Sequence, residues 1–223
     1  MLDLQDRGCH NVELVSASHL LPQVLESLDL AAADGLRLPI VYNTNGYDSQ
    51  EGLAWLDGVV DVYLPDAKYS EDAVAAEVSD CPDYVAVNRA ALKEMHRQVG
   101  DLIVDGQGIA TRGMILRLLV LPDDAAGCLD TLEWLAENLG SSVWLSIMSQ
   151  YRPYHLAAGH PRIGRPLGRQ EYEAVLSWVE RIGFENYFLQ TLESQNSCVP
   201  DFADESPFDF GDRLGAATRD RSR

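Results

Sequence analysis

Short apolar runs that end in small polar clusters recur along this chain, and they constrain its fold more than any other feature. Ile40-Val41-Tyr42 leads into Asn43-Thr44-Asn45-Gly46, Val59 to Leu64 leads into Pro65-Asp66-Ala67-Lys68, and Ile115 to Leu121, with Arg117 inside it, leads into Pro122. Runs this short and this rich in β-branched residues read as buried parallel strands. Segments with apolar residues at helical spacing lie between them, as with Leu21, Val24, Leu25 and Leu28. The alternation predicts one α/β domain of about six parallel strands, a (β/α) barrel or part of one. Ligands of such folds bind at the carboxyl ends of the strands, so function is sought there.

The element pattern is read as follows. A short helix over Met1 to Asp6 precedes a strand over Val12 to Val15, and a helix over Leu20 to Ala33 is stopped by Gly35. Strand Ile40 to Tyr42, a short helix from Ser49 to Leu56 and strand Val59 to Leu64 follow, then a helix near Tyr84 to Val99. Leu102 to Val104 and Ile109 to Thr111 flank Asp105-Gly106-Gln107-Gly108, which predicts a hairpin with a Gly-rich turn. The alternation resumes with strand Met114 to Leu121, helix Ala125 to Leu139, strand Val143 to Met148, helix Gln170 to Arg181 and a last strand near Tyr187 to Leu189. The barrel domain is placed over residues 1–200. Residues 201–223 lack an apolar period and are read as a tail, disordered from about Gly211.

Charge narrows the function classes. The formal net charge of −18 repels phosphate backbones and anionic lipid, which argues against nucleic-acid and membrane-surface binding. No apolar stretch approaches a membrane span, and Asp3, Asp6 and Arg7 do not have the order of a signal peptide, so a cytoplasmic protein is expected. Cys9, Cys81, Cys128 and Cys198 make no ligand-spaced pair, and no metal site is read from them.

Several residues at strand ends have side chains suited to chemistry. Asn43-Thr44-Asn45-Gly46-Tyr47 is a turn former that can satisfy its own backbone, and at a strand end it is also a ligand contact. Asp66 and Lys68 are two apart and able to face the same way, as a local ion pair or as a ligand clamp, with Lys68 also able to act as a Schiff-base amine. Arg117, set among Ile115, Leu116, Leu118 and Leu119, needs a carboxylate, a ligand or a wet cavity, because an unpaired buried guanidinium is costly. Asp66 or a ligand would meet that need. Gln150-Tyr151-Arg152-Pro153-Tyr154-His155 offers stacking and hydrogen-bonding groups, and His19 stands after a strand as a cap or an acid-base group. His10, His96 and His160 have no metal-ligand spacing.

Taken together, Gly8-Cys9-His10-Asn11, Tyr42 to Tyr47, Tyr63 to Tyr69, Arg117 with Val120-Leu121-Pro122, and Gln150 to Pro153 resemble a branch of the radical S-adenosylmethionine proteins related to pyruvate formate-lyase activating enzyme. The resemblance runs from Gly8 to about Phe208. It implies a partial (β/α)6 TIM-like barrel that binds S-adenosylmethionine beside a [4Fe-4S] cluster. There the sulfonium is reductively cleaved to a 5'-deoxyadenosyl radical, which takes hydrogen from a small molecule or from a glycyl radical enzyme. It places Asn43, Thr44, Asn45, Gly46, Asp66, Lys68, Arg117, Gln150 and Tyr151 around the cofactor and identifies no catalytic residue.

Two departures accompany the resemblance. Better-known activating enzymes have an aspartate where Asn43 stands. The family's C-x-x-x-C-x-x-C segment is also absent, so the chain reads as truncated, lacking the first barrel strand, with no cluster ligands of its own. A misplaced start, a split gene whose first piece is another chain, or a decayed protein would each account for that. The expectation is a chain inactive alone, with an unpaired sheet edge that favours self-association. The alternatives are a non-catalytic remnant or partner subunit that binds a nucleotide-like ligand, or a barrel lyase using Lys68.

Overall fold

The computed structural model describes residues 1–197 and 218–220. In chain order the elements are α1 (Leu2–Asp6), β1 (Val12–Val15), α2 (Leu21–Ala33), β2 (Ile40–Thr44), α3 (Gln50–Leu56), β3 (Val62–Pro65), α4 (Asp72–Ser79) and α5 (Tyr84–Val99). They continue with β4 (Ile103–Val104), β5 (Ala110–Leu119), α6 (Cys128–Asn138), β6 (Trp144–Met148), α7 (Arg169–Ile182), β7 (Tyr187–Gln190), α8 (Ser194–Ser197) and β8 (Thr218–Asp220). The chain is thus an α/β protein with a mostly parallel sheet. It divides into two compact units, Met1–Ala67 with Asp83–Leu116, and Lys68–Pro82 with the residues from Arg117 onward.

In the first unit β1, β2, β3 and the early part of β5 lie side by side and parallel. The register aligns Tyr42 with Tyr63 and Tyr63 with Met114, and all three are fully buried. Tyr42 and Tyr63 meet edge to face, 5.9 Å between ring centroids. Helix α5 packs on this side because Tyr84, Ala91, Leu92, Met95 and Val99 recur at helical spacing and are buried together. Its polar Gln98 is buried without cost in lost hydrogen bonds. It accepts from the Tyr63 hydroxyl at 2.6 Å and donates to the Leu53 carbonyl at 2.8 Å. Helix α3 starts where the Ser49 hydroxyl accepts from the Gly52 amide at 3.0 Å.

The other face carries Glu13, Val41 and Val62 in one row, the two valines buried. Val15, Asn43 and Leu64 form the next row, with Val15 63% exposed and the other two half-buried. Strand β1 is the edge, paired to β2.

In the second unit β6 and β7 are parallel, and β8 pairs antiparallel with β7. The Val120 amide donates to the Met148 carbonyl at 3.0 Å, continuing the pairing from the end of β5. Leu118, Val120, Leu145, Ile147 and Leu189 are buried, and so are Leu132 and Leu135 of α6 and Val175 and Val179 of α7. Trp144 and Phe188 lie on the opposite face, their rings 5.0 Å apart.

Several boundaries differ from the sequence expectation, helix α4 lies in a stretch read only as mixed, and three differences show their cause. β2 runs two residues further, through Asn43 and Thr44, because Asn43 and Thr44 pair with Leu64 and Pro65. β3 begins at Val62 because the amides of Val59 and Val60 bond to the Leu56 carbonyl and finish the turn after α3. The hairpin strand and the strand after it are one continuous β5. Gly113, at φ +116, turns its amide to the Asp61 carbonyl, and a Cβ there would collide with the backbone of Asp101 and Leu102. The tail expectation over 201–223 lies outside the described residues apart from β8.

Candidate functional site

The strand-end residues fall in both units. In the first, Asn43 is half-buried on the sheet face opposite Tyr42, and its Nδ2 donates to Glu13 Oε1 at 2.7 Å. Thr44 points the other way and is buried. Its hydroxyl donates to Asp48 Oδ2 at 2.5 Å and accepts from the Gly46 amide at 3.1 Å, so it is committed to shaping the turn. The Asn45 side chain accepts from the Tyr47 amide at 2.9 Å and closes an Asx turn.

Gly46 adopts φ +75, and a Cβ there would strike the Asn88 side chain and the Asp66 carbonyl. That close approach brings the turn after β2 against the turn after β3. Asn88 of α5 clips the two together, its Nδ2 lying 2.9 Å from both the Gly46 and the Asp66 carbonyl. The Tyr84 hydroxyl donates to the same Asp66 carbonyl at 3.3 Å and lies 3.1 Å from that of Asn45. Tyr47 stacks on Tyr84 with ring planes 7° apart. Asp66 itself is buried, its amide donating to the Thr44 carbonyl at 3.0 Å.

Asp48 and Asn88 shape the turns that carry the candidate residues, and the sequence reading did not single them out. Asp48 is buried and also accepts from the Tyr42 hydroxyl at 2.9 Å. Burial pushes its carboxyl above the usual carboxylate range, and the hydrogen bonds from Thr44 and Tyr42 oppose that shift. Burial, together with the Asp48 charge, raises the Tyr42 hydroxyl far above its ordinary value. Asp48 follows the Asn-Gly pair at short range, and that position is the one sequence signal that could have found it. Asn88 gives no such signal, because its partners lie 42 and 22 residues away.

In the second unit Lys68 and Tyr151 line one cavity of about 190 Å³, with Tyr69, Leu119, Leu121 and Ile163 among its other walls. The Tyr151 hydroxyl donates to the Ile163 carbonyl at 2.8 Å, and burial raises its pKa. Tyr69 and Ser79 share a hydroxyl contact of 2.7 Å. Arg117 alternates along β5 with the fully buried Leu116 and Leu118, so it lies on the half-exposed face together with Leu119. Gln150 accepts from Gln190 at 3.0 Å, while Gln190 in turn receives the Ser149 amide at 3.1 Å. The second unit therefore brings Lys68 and Tyr151 together, and holds Gln150 in a separate hydrogen-bonded group.

Among the described residues no group of three or more His, Cys, Asp or Glu side chains could hold a metal ion. Cys9 and Cys81 are half-exposed, and Cys128 is buried, its thiol held protonated by burial and by the neighbouring Asp124. These residues do not fit a [4Fe-4S] cluster. No helix among the described residues is long and apolar enough to cross a membrane.

Comparison with known proteins places the fold. No family model matches the sequence. An uncharacterized protein of Methanocaldococcus jannaschii is 29% identical over 165 residues, which is 74% of this chain and 44% of that protein. The chain thus spans less than half the length of the curated relative it matches. Among solved structures, a domain of pyruvate-formate lyase-activating enzyme from Bacteroides vulgatus is similar at a TM-score of 0.53 and 9% identity, covering 81% of this chain and 99% of that domain. At that identity the likeness is one of fold: this chain is an α/β protein whose mostly parallel sheet resembles that of a domain of the activating enzyme.

Proposed function

We propose that this chain is the ligand-holding part of a radical S-adenosylmethionine protein of the glycyl-radical-enzyme activase type, built as a partial (β/α)6 barrel that binds S-adenosylmethionine. The observation that supports the reading is an α/β fold similar to an activating-enzyme domain, with polar residues near strand ends in each of its two units. Lys68, at a cavity with mainly apolar walls, suits a carboxylate, and Asn43, half-buried near the end of β2, suits a hydroxyl. Among the described residues no group of side chains could hold a cluster, so the proposal is limited to binding. A protein partner, a glycyl radical enzyme by resemblance, and a cytoplasmic setting belong to the same proposal.

Equilibrium dialysis of the purified chain against S-adenosylmethionine tests it. Saturable binding is expected, weakened at least about tenfold in Lys68→Met through loss of a charge-assisted bond. Absence of saturable binding overturns the proposal. Anaerobic treatment with iron and sulfide separates binding from catalysis, since a stable cluster with cleavage of the sulfonium would extend the reading to full activity.

A second reading rests on the apolar walls around Lys68, which suit an amine that attacks a carbonyl substrate. Borohydride trapping of a carbonyl compound on Lys68 would support a Schiff-base lyase, and failure to trap any would remove it.

A further inference from the structure

Residues 151–168 join β6 to α7 in the second unit and form part of the wall of the Lys68 cavity. Ala157 and Ile163 line that cavity from this segment, and Val78 lines it from α4. No residue from 151 to 162 is buried, and Tyr154 and Leu156 are 56% and 83% exposed. Apolar burial therefore does not fasten this stretch, and it begins only at Ile163 and Leu167. Side-chain bonds do the fastening. His160 Nδ1 accepts the amides of Arg162 and Ile163 at 3.2 and 3.3 Å, which leaves the ring proton on Nε2. Nε2 donates to Glu77 Oε1 of α4 at 3.1 Å. The Arg162 guanidinium adds a second tie, to Asp123 at 3.2 Å.

We infer that residues 151–162 are a lid on the Lys68 cavity and that His160 is the latch that closes it onto α4. Glu77 is the chain neighbour of Val78, and Ile163 belongs to the turn that His160 caps, so one imidazole joins two walls of the same cavity. A cavity of about 190 Å³ closed by such a contact admits a ligand when the contact parts. The bond is suited to that use. Glu77 is 55% exposed, so its pairing with the imidazole is weak enough to break and reform without unfolding the unit. Ile163 and Leu167 stay buried as the anchored end, while the stretch with Ala157 swings away from Lys68. The inference concerns entry to the cavity and goes beyond the choice of ligand, since it holds for any compound that reaches Lys68.

Reductive methylation of the purified chain with formaldehyde and cyanoborohydride, read at each lysine by mass spectrometry, tests the latch. The sequence has two lysines, and the exposed Lys93 of α5 is the internal reference for Lys68. The ratio of Lys68 to Lys93 labelling is expected to rise about threefold in His160→Asn and in Glu77→Ala, the worth of an exposed hydrogen-bonded pair. Asparagine at position 160 still caps the Arg162 and Ile163 amides but is too short to reach α4, so it breaks the latch and keeps the turn. The double variant should rise no further than either single one, because both remove the same contact. A ratio unchanged in both single variants overturns the inference, and so do single effects that multiply in the double variant. Buried Cys128 of the same unit should stay unreactive toward iodoacetamide throughout. Labelling of Cys128 in step with Lys68 would mean that the whole unit has loosened, and would equally overturn the lid.

Discussion

The Thr44 hydroxyl donates to the buried Asp48 carboxylate at 2.5 Å, and the same oxygen receives the Gly46 amide. The turn after β2 is thus built on a carboxylate inside the protein, and its shape depends on that group. Asp48→Ala leaves the Thr44 and Tyr42 hydroxyls buried with no acceptor, and is expected to cost about 2–4 kcal/mol. Tyr42→Phe removes one donor to the carboxylate and should cost about 1.5–3 kcal/mol. Urea denaturation of both variants checks this, and a loss below about 0.5 kcal/mol in Asp48→Ala would contradict the role assigned to it.

Gly46→Ala should be among the most damaging substitutions in the first unit. Its backbone lies at φ +75, and the added Cβ meets the Asn88 amide and the Asp66 carbonyl, the second of which cannot rotate away. A loss of about 3 kcal/mol or more is expected. Gly106→Ala is the control, since nothing lies within 4 Å of its Cβ position, and it should stay within about 0.5 kcal/mol of wild type.

Glu171 couples stability to acid. Its carboxylate receives two bonds from Arg165, at 2.7 and 2.8 Å, and the amides of Asp123 and Gly168 at 2.7 and 2.8 Å, fastening the start of α7. The Arg165 guanidinium, followed by those amides, holds the carboxyl well down, from 4.5 to about 2. The depressed folded-state value means the contribution is complete above pH 4.5 and is lost as pH falls toward 2. Glu171→Gln should therefore be less stable than wild type at neutral pH, and the gap should close across that window. Asp48 has the opposite sign. Its raised folded-state value favours folding at low pH, and that contribution fades as pH rises above 3.8 through the folded-state value. Asp48→Asn should remove that slope. Chemical-denaturation midpoints across pH distinguish the two effects, and a pH-independent gap for Glu171→Gln would rule out the linkage.

Thiol labelling should follow burial and protonation. Cys9 and Cys81 are half-exposed and should react with iodoacetamide in the native protein, while Cys128, buried and held as the thiol, should react only after unfolding. Peptide mapping by mass spectrometry reads the outcome. Native labelling of Cys128 at a rate matching Cys81 would show that α6 opens far more readily than its packing implies.

Much of the fold was legible before any coordinates. The boundaries of β1 and α5 agree with the strand over Val12 to Val15 and the helix over Tyr84 to Val99, because alternation and helical spacing are local properties of the chain. The placement of Asn43 and Asp66 near strand ends, and of Arg117 within β5, follows from the same local pattern. The N-terminal limit of β3 and the continuity of β5 were not legible. The first depends on amides that return to Leu56, and the second on a glycine that reaches Asp61.

The amino-acid sequence by itself determined the α/β class, the periodicity of the helices and the placement of polar groups at strand ends. Only the tertiary structure decided what those groups do. Thr44 turns inward to Asp48, Asn43 meets Glu13 across 30 residues of sequence, and Asn88 joins two turns from a distant helix. The physical reason is that periodicity is set by backbone geometry within a few residues. Side-chain hydrogen-bond partners are chosen by strand register and helix docking, and these exist only once the chain has folded.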